Sequence, residues 1–350
     1  MKKFGIFVFC LIFTAILLPA PTLHAAQSQI VTRRVFAAED FNRIDANLLV
    51  SPLEIRVHQE NHVLVTFEVV RDFETGNRPE FNFDSEKGTL YLTQEHSAEA
   101  VSGISIGNNG TSNMTVNVRH AGNMNMNNRQ IIVDGQIAAG VNLNEISGVT
   151  FIDTGLVTVF VPENFVLDEI LFESGSGRIS VFGENLVTIR DVSASVTNGS
   201  VSINGAYLRN IGLTTTNGSL ALSNSTADGN ISMQAVNGSV SISNSRITTS
   251  PHLRVSNGSI SLSDSVFTAN FTTQASNGSL SWENVTAERN ATATVTNGTV
   301  SISNSRIAGR LFASTTNGTI NLRRIDTDMD RADIRTGRNG RAFLDGRRID

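Results

Sequence analysis

The sequence predicts an all-β chain wound as a single-stacked β-solenoid, a β-helix of about 20 residues per coil with an irregular N-terminal β cap. Three observations predict it. First, an Asn-Gly pair recurs in register: Asn198-Gly199, Asn217-Gly218, Asn237-Gly238, Asn257-Gly258, Asn277-Gly278, Asn297-Gly298 and Asn317-Gly318. The spacing is 19 once and then 20 five times, and a fixed period of that size marks stacked repeats. Second, the residues after each pair alternate, as in Ser239-Val240-Ser241-Ile242-Ser243, which is the period of a strand. Third, a hairpin meander would vary its turns, whereas one turn type here returns at one interval. Gly at a repeated corner supplies positive φ, and stacked Asn side chains can form an amide ladder along the axis.

The elements follow in chain order. Residues 1–25 read as a signal peptide. Lys2 and Lys3 precede an apolar run from Phe4 to Leu18, which falls short of a membrane span. Pro19 and Pro21 break the run, and Ala25 and Ala26 offer a cleavage site. The chain's only cysteine, Cys10, lies inside this run, so the mature chain has no disulfide and its stability rests on packing and hydrogen bonds. The signal implies an exported protein: periplasmic, displayed at the cell surface or secreted.

Residues 26–96 form the N-terminal β-rich cap or first coils. Ile30–Phe36, Glu54–Val57, Val63–Val70 and Leu90–Leu92 carry strand patterns, and Arg71–Gly88 reads as a loop. A cap is required because an open terminal coil exposes strand edges and core. Residues 97–150 are polar, Gly- and Asn-rich, and read as an excursion from the stack. Residues 151–322 carry the solenoid. They begin with Leu156–Pro162, Leu167–Phe172 and Ile179–Phe182, with a first corner at Gly177, and continue through the Asn-Gly coils. Within each coil a second apolar site is expected at Ile247, Val266, Val285 and Ile307. A third is expected at Leu253, Val255, Phe271, Ala293, Val295 and Phe312. Asn224, Asn244, Asp264, Asn284 and Asn304 suggest a second ladder, weakened at Asp264. Residues 323–350 alternate Arg and Asp, and Asn339-Gly340 suggests one last, charged coil that discourages end-to-end stacking.

These residues resemble a bacterial β-strand-repeat family of adhesin type, a family of unknown function related to the head-GIN group. The resemblance rests on Phe41-Asn-Arg-Ile44, Glu54-Ile-Arg-Val57, Val157-Thr-Val-Phe-Val-Pro162, Ser174-Gly-Ser-Gly-Arg-Ile-Ser-Val181 and the Asn-Gly-Ser-Val-Ser-Ile coils. It spans roughly residues 35–345. It implies a β-solenoid at the envelope or surface and carries over no catalytic residue.

The search for chemistry finds no catalytic, cofactor-binding or metal site to assign, and no enzyme is expected. Between Asp191 and Ile320 the acids are Asp191, Asp228, Asp264, Glu283 and Glu288, with no pair placed to flank one glycosidic bond. His58-Gln-Glu-Asn-His62 lacks the helical His-Glu-x-x-His arrangement. It reads as two strands joined at residues 59–61, with both histidines in solvent. The chain carries 27 basic and 32 acidic residues, and loss of Lys2 and Lys3 makes it more acidic still, which argues against nucleic acid. The expected partner is an envelope protein or glycan, with no transmembrane span after signal cleavage and a monomeric chain. The alternatives are a polysaccharide-processing β-helix enzyme and a periplasmic accessory or signalling partner.

Overall fold

The computed structural model describes residues 29–69, 80–94 and 155–349, with short strands between 105 and 140. It is an all-β solenoid. From Ile211 to Leu322 the coils pair in parallel, each residue against the one 20 positions on: Asn217 on Asn237, Asn237 on Asn257, and so to Asn317.

Each coil has three straight sides. The first two form one bent strand, such as Ile231–Ser243, with Asn-Gly at the bend. The third is a two-residue strand, such as Arg246–Ile247. The tightest corner is not Asn-Gly but the position seven residues after its Asn. Asn224, Asn244, Asp264, Asn284 and Asn304 all take left-handed φ of 46–53° there. Asn and Asp tolerate that conformation better than other side-chain-bearing residues, which explains this column.

Alternation puts one side of every strand inside. Leu220, Val240, Ile260, Leu280, Val300 and Ile320 form one buried column, and Leu222, Ile242, Leu262, Trp282, Ile302 and Leu322 the next. Two sequence expectations need correction by one residue. Phe267, not Val266, fills the third side beside Ile247 and Ile307, and Leu311, not Phe312, points inward. A 20-residue period leaves inward parity unchanged from coil to coil, so neither Val266 nor Phe312 can face the core. Val285 is buried, but in a different column, described below. Bulk is shared between layers. Phe271 lies between Phe267 and Trp282, with ring centroids 4.3 and 4.9 Å away, while the next coil supplies Ala287, Ala291 and Ala293.

The N-terminal layers stack out of chain order. Strands β1 (Gln29–Ala37), β2 (Arg43–Asn47), β3 (Leu53–His58), β4 (His62–Val69), β5 (Glu80–Asp84) and β6 (Thr89–Thr93) precede the repeats. β5 falls within the stretch read from sequence as a loop, and β2 was unmarked. Short strands β7–β11 follow between Ser105 and Gly140 in two separate small sheets. Then come β12 (Leu156–Pro162), β13 (Phe165–Ser174) and β14 (Ile179–Ser223). β2 lies between β6 and β13, parallel to both. β3 lies between β12 and the start of β14, again parallel to both. The β2–β3 coil is therefore enclosed by an outer coil made of β6 and β12 and an inner one made of β13 and β14.

Antiparallel strands close this end: β5 on β6, β4 on β12, and β1 on β4. The connection from Asn47 to Leu53 in one coil and from Glu173 to Ile179 in the next takes a short bend. The corresponding step in the outer coil runs from Thr93 to Val157. The ends of that longer step, Thr93 and Val157, flank the corner that carries Asn-Gly in later coils. At the other end a last coil forms at 333–344. Thr315 pairs with Thr336 and Thr319 with Arg341, so this coil carries one extra residue at the corner. Gly337 packs on the Thr316 carbonyl, and Asn339-Gly340 lies in a local turn closed by Gly340 N–H to Gly337 O rather than on the Asn317-Gly318 column.

Candidate binding surface

The Asn-Gly corner forms a ridge. Asn217 Nδ2 donates to Asn198 Oδ1 at 2.7 Å, and Asn237, Asn257 and Asn277 each donate to the preceding Asn at 2.9 Å. Asn297 and Asn317 continue the ladder at 2.8 Å. Every sequence-predicted Asn is therefore in one column. The glycines lie beside it, and close contact requires them throughout, whereas φ of 140–158° is confined to Gly218, Gly238, Gly258, Gly278 and Gly298. A Cβ on Gly258 would lie 1.8 Å from the Gly238 carbonyl oxygen, and the column extends down to Gly177 beneath Gly199. The second ladder is partial: Asn224 Nδ2 donates to Asn204 Oδ1 at 2.7 Å and Asn284 Nδ2 to Asp264 Oδ1 at 2.9 Å. Asp264 accepts from Asn284, but with no amide to donate it does not carry the ladder on to Asn244, the local weakening the sequence predicts.

An inward ladder escaped the sequence reading. Ser225, Ser245, Ser265 and Ser305 are buried just past the tight corner. Each hydroxyl donates to the carbonyl two residues back, at 2.6–2.7 Å. The Ser245 and Ser265 hydroxyls also accept the backbone N–H of the matching serine one coil earlier, at 3.2 and 3.1 Å. Val285 occupies the same column and interrupts it. The signal was present as four serines in register, but serine is so frequent here that the column did not stand out.

Outside the core, the second side of the coils presents hydroxyl rows. Ser219, Ser239, Ser259, Ser279, Thr299 and Thr319 form one, and Ser241, Ser261, Ser281 and Ser301 the next. Rows repeat about every 4.8 Å along the axis, and neighbouring rows lie about 6.6 Å apart along the strand. The face is almost free of charge, with Glu283 and Arg323 at its margin. Aromatics do not supply a sugar platform on it: Trp282, Phe267 and Phe271 are core, while Tyr207 is half-exposed.

A shallow open groove of about 650 Å³ runs across the third corner, lined by Asn270, Glu288, Arg289, Asn290 and Arg331 among others. Backbone N–H groups of Asn290 and Arg310 donate to Asn270 Oδ1 and Asn290 Oδ1 beside it. Its lining holds one carboxylate, Glu288.

Some charged residues elsewhere are paired. Buried Glu54 meets Arg56 at 2.7 Å and Arg178 at 3.6 Å. At the C-terminal cap Arg335 forms two bonds to Asp333, at 2.8 and 2.7 Å, and lies over the Phe312 ring. The Arg335 hydrogen bonds hold the Asp333 carboxyl below the usual aspartate range, and Asp333 in turn raises Arg335. This exposed cluster is structural, tying Arg310 of one coil to Asp333 of the next at 2.7 Å.

At the other end, the β3–β4 connection brings His58, Glu60 and His62 together. Its strands flank β12 on opposite sides, so residues 59–61 arch over the end of that strand. The two rings stand edge to face with centroids 5.2 Å apart. The two strands and the turn at 59–61 are as the sequence predicts, but the histidines that flank it are half-buried rather than solvated.

Among the described residues no helix is long and apolar enough to cross a membrane. The family model described as Toastrack DUF4097 matches residues 51–323, and the chain belongs to that family of unknown function. No curated protein and no solved structure matches the chain.

Proposed function

We propose that this Toastrack-family chain is an exported, non-catalytic binding module of the bacterial envelope, of adhesin type, that presents its hydroxyl face to a glycan or protein. The observation that supports this is the regularity of the outward rows from Ser219 to Thr319, held on a frame whose own backbone bonds are internally satisfied. A rigid array of hydroxyls loses little side-chain entropy on binding, and it matches a repeating polar partner better than a charged one. The N-terminal segment, with its basic start and short apolar run, supports export.

The test is co-sedimentation of the full chain with purified envelope material, alongside surface proteolysis of intact cells. Ser241→Arg and Ser281→Arg, two coils apart, place bulky charge on the face without touching the core. The double variant should lose at least about tenfold in binding while melting like the parent, since exposed substitutions away from special contacts usually matter little to stability. Unchanged binding by this variant would refute the hydroxyl face as the contact.

A polysaccharide-processing enzyme is the second reading, and the third-corner groove is where it would act. Glu288 with Arg289 and Arg331 gives one acid and two cations. Glycoside cleavage by the usual route needs two carboxylates across the bond, which this lining lacks. Turnover of an envelope polysaccharide abolished by Glu288→Gln would replace the binding-module reading. The periplasmic accessory reading depends on the 97–150 excursion, which lies largely outside the described residues.

A further inference from the structure

We propose that the arch between β3 and β4 is a divalent-metal site of the zinc class, with His58, Glu60 and His62 as its protein ligands. The argument is geometric. One ring nitrogen from each histidine and one carboxylate oxygen lie within 4.8 Å of one another. Zinc bonds of about 2.0–2.2 Å place tetrahedral ligands about 3.4 Å apart, so each side chain needs to close by about an ångström or less. Glu60 Oε2 is already 3.1 Å from His62 Nε2.

The state of His62 points the same way. Its Nε2 is shielded from solvent and has no hydrogen-bond partner, although Glu60 approaches it. A shielded ring nitrogen 3.1 Å from a carboxylate oxygen, in ion-pair range but without hydrogen-bond geometry, is an arrangement that a cation bridging the two would satisfy. His58 is oriented by a different contact: its Nε2 lies 2.6 Å from the His62 carbonyl oxygen, where only an N–H fits. That bond leaves Nδ1 with the lone pair, the form in which imidazole ligates.

The frame is stiff. His58 is paired with Pro162 on β12, and His62 with Ala37 on β1, so both ends of the arch are tied to the sheet. Glu60 is exposed at the tip, which leaves the fourth position open to water or to an outside group. Two nitrogens and one oxygen suit zinc better than calcium or magnesium, which prefer all-oxygen shells. The spacing escapes the zinc motif because that motif assumes a helix. Here the same i, i+4 separation is achieved by an arch over a third strand.

The experiment is titration of the purified full chain with Zn²⁺, and with Co²⁺ for its visible absorption, after removal of metal by chelator. The parent should bind one more ion per chain than a His58→Ala/His62→Ala double variant. Its cobalt spectrum should show the intense bands of a four-coordinate site, and the variant's should not. Glu60→Gln, at an exposed position, should weaken binding by about tenfold or more with folding unaffected. His252→Ala serves as the control and should leave the stoichiometry unchanged. Equal stoichiometry in parent and double variant, or an unaltered affinity in Glu60→Gln, would overturn the assignment.

Discussion

The N-terminal layers and the Asn-Gly coils solve the same stacking problem by opposite means. In the coils, order in the chain is order in space, and each layer repeats its neighbour closely enough for side-chain ladders to run along the axis. In the first layers the chain places β2 and β3 first and then builds the outer coil beneath them. No ladder can form across that reversal. Large side chains take over, including Phe41, Phe67, Phe81, Leu90 and Phe172, with Phe41 stacked on Phe83 at 5.9 Å. Even the corner is handled differently. Ser51 stands beneath Gly177 where later coils have glycine, and the Gln94 side-chain oxygen accepts from the N–H groups of Val50 and Ser51 at 3.2 and 3.1 Å. Regular register thus permits cheap, repeated polar bonds, whereas irregular register requires bulk and individual caps.

The sharpest way to break this contrast is to exchange what the two corners tolerate. Gly258→Ala would put a methyl 1.8 Å from the Gly238 carbonyl oxygen, at a φ of 140°. Backbone on both sides fixes the clash, so the coil must separate from its neighbour. The expected loss exceeds about 4 kcal/mol, in the range reserved for changes the fold cannot absorb. Ser51→Ala should instead be nearly neutral or slightly stabilising, because the buried Ser51 hydroxyl has no hydrogen-bond partner to lose. Chemical denaturation of both variants measures the difference. Similar losses at the two sites would mean that the corners are equivalent after all.

That same contrast sets how much could be read from sequence. The coils were legible because period 20 and period 2 are both written directly in the residues: Asn-Gly gave the stacking column, and Val240-Ser241-Ile242 gave the inside. The errors came where a short side was counted without the register. Val266 and Phe312 look like core by composition, but each is one residue out of phase with its column. The N-terminal stacking order was not legible, because nothing local in β2 or β6 states which strand lies outermost. Pairing of Arg43 with Thr89 is a long-range contact that only tertiary packing decides. The histidine arch escaped for the same reason: the strand that brings His58 and His62 together, β12, lies about 100 residues later in the chain.

The buried serine column offers a finer test within the regular coils. Ser245 donates to the Ser243 carbonyl at 2.7 Å and accepts from the Ser225 N–H at 3.2 Å. Ser245→Ala strands that N–H in the core, and a buried donor without a partner costs about 1–3 kcal/mol. Val285 shows that the column can hold an apolar side chain, so the loss should come from the hydrogen bonds rather than from sterics. Amide exchange at Ser225 reads this directly: it should accelerate in the variant while exchange two coils away is unchanged. Uniform acceleration along the rod would instead mean that the coils open together.

The outer asparagine ladder should matter least, although it is the feature most visible in the sequence. Asn257 donates to Asn237 and accepts from Asn277, both at 2.9 Å, but its side chain is exposed. Water can replace both bonds, so Asn257→Ala should cost only about 0.5–1.5 kcal/mol. Asn257→Asp should cost at least as much: the carboxylate still accepts from Asn277, as Asp264 does from Asn284 at 2.9 Å, but it sets an oxygen against Asn237 Oδ1 where the amide donated. The ranking carries the physics: the conspicuous repeat marks where the backbone must bend, while the adjoining glycine, packed against its predecessor, holds the coils together. If Asn257→Ala proved as damaging as Gly258→Ala, the amide column itself would be what sets the register, and the glycines would be only its consequence.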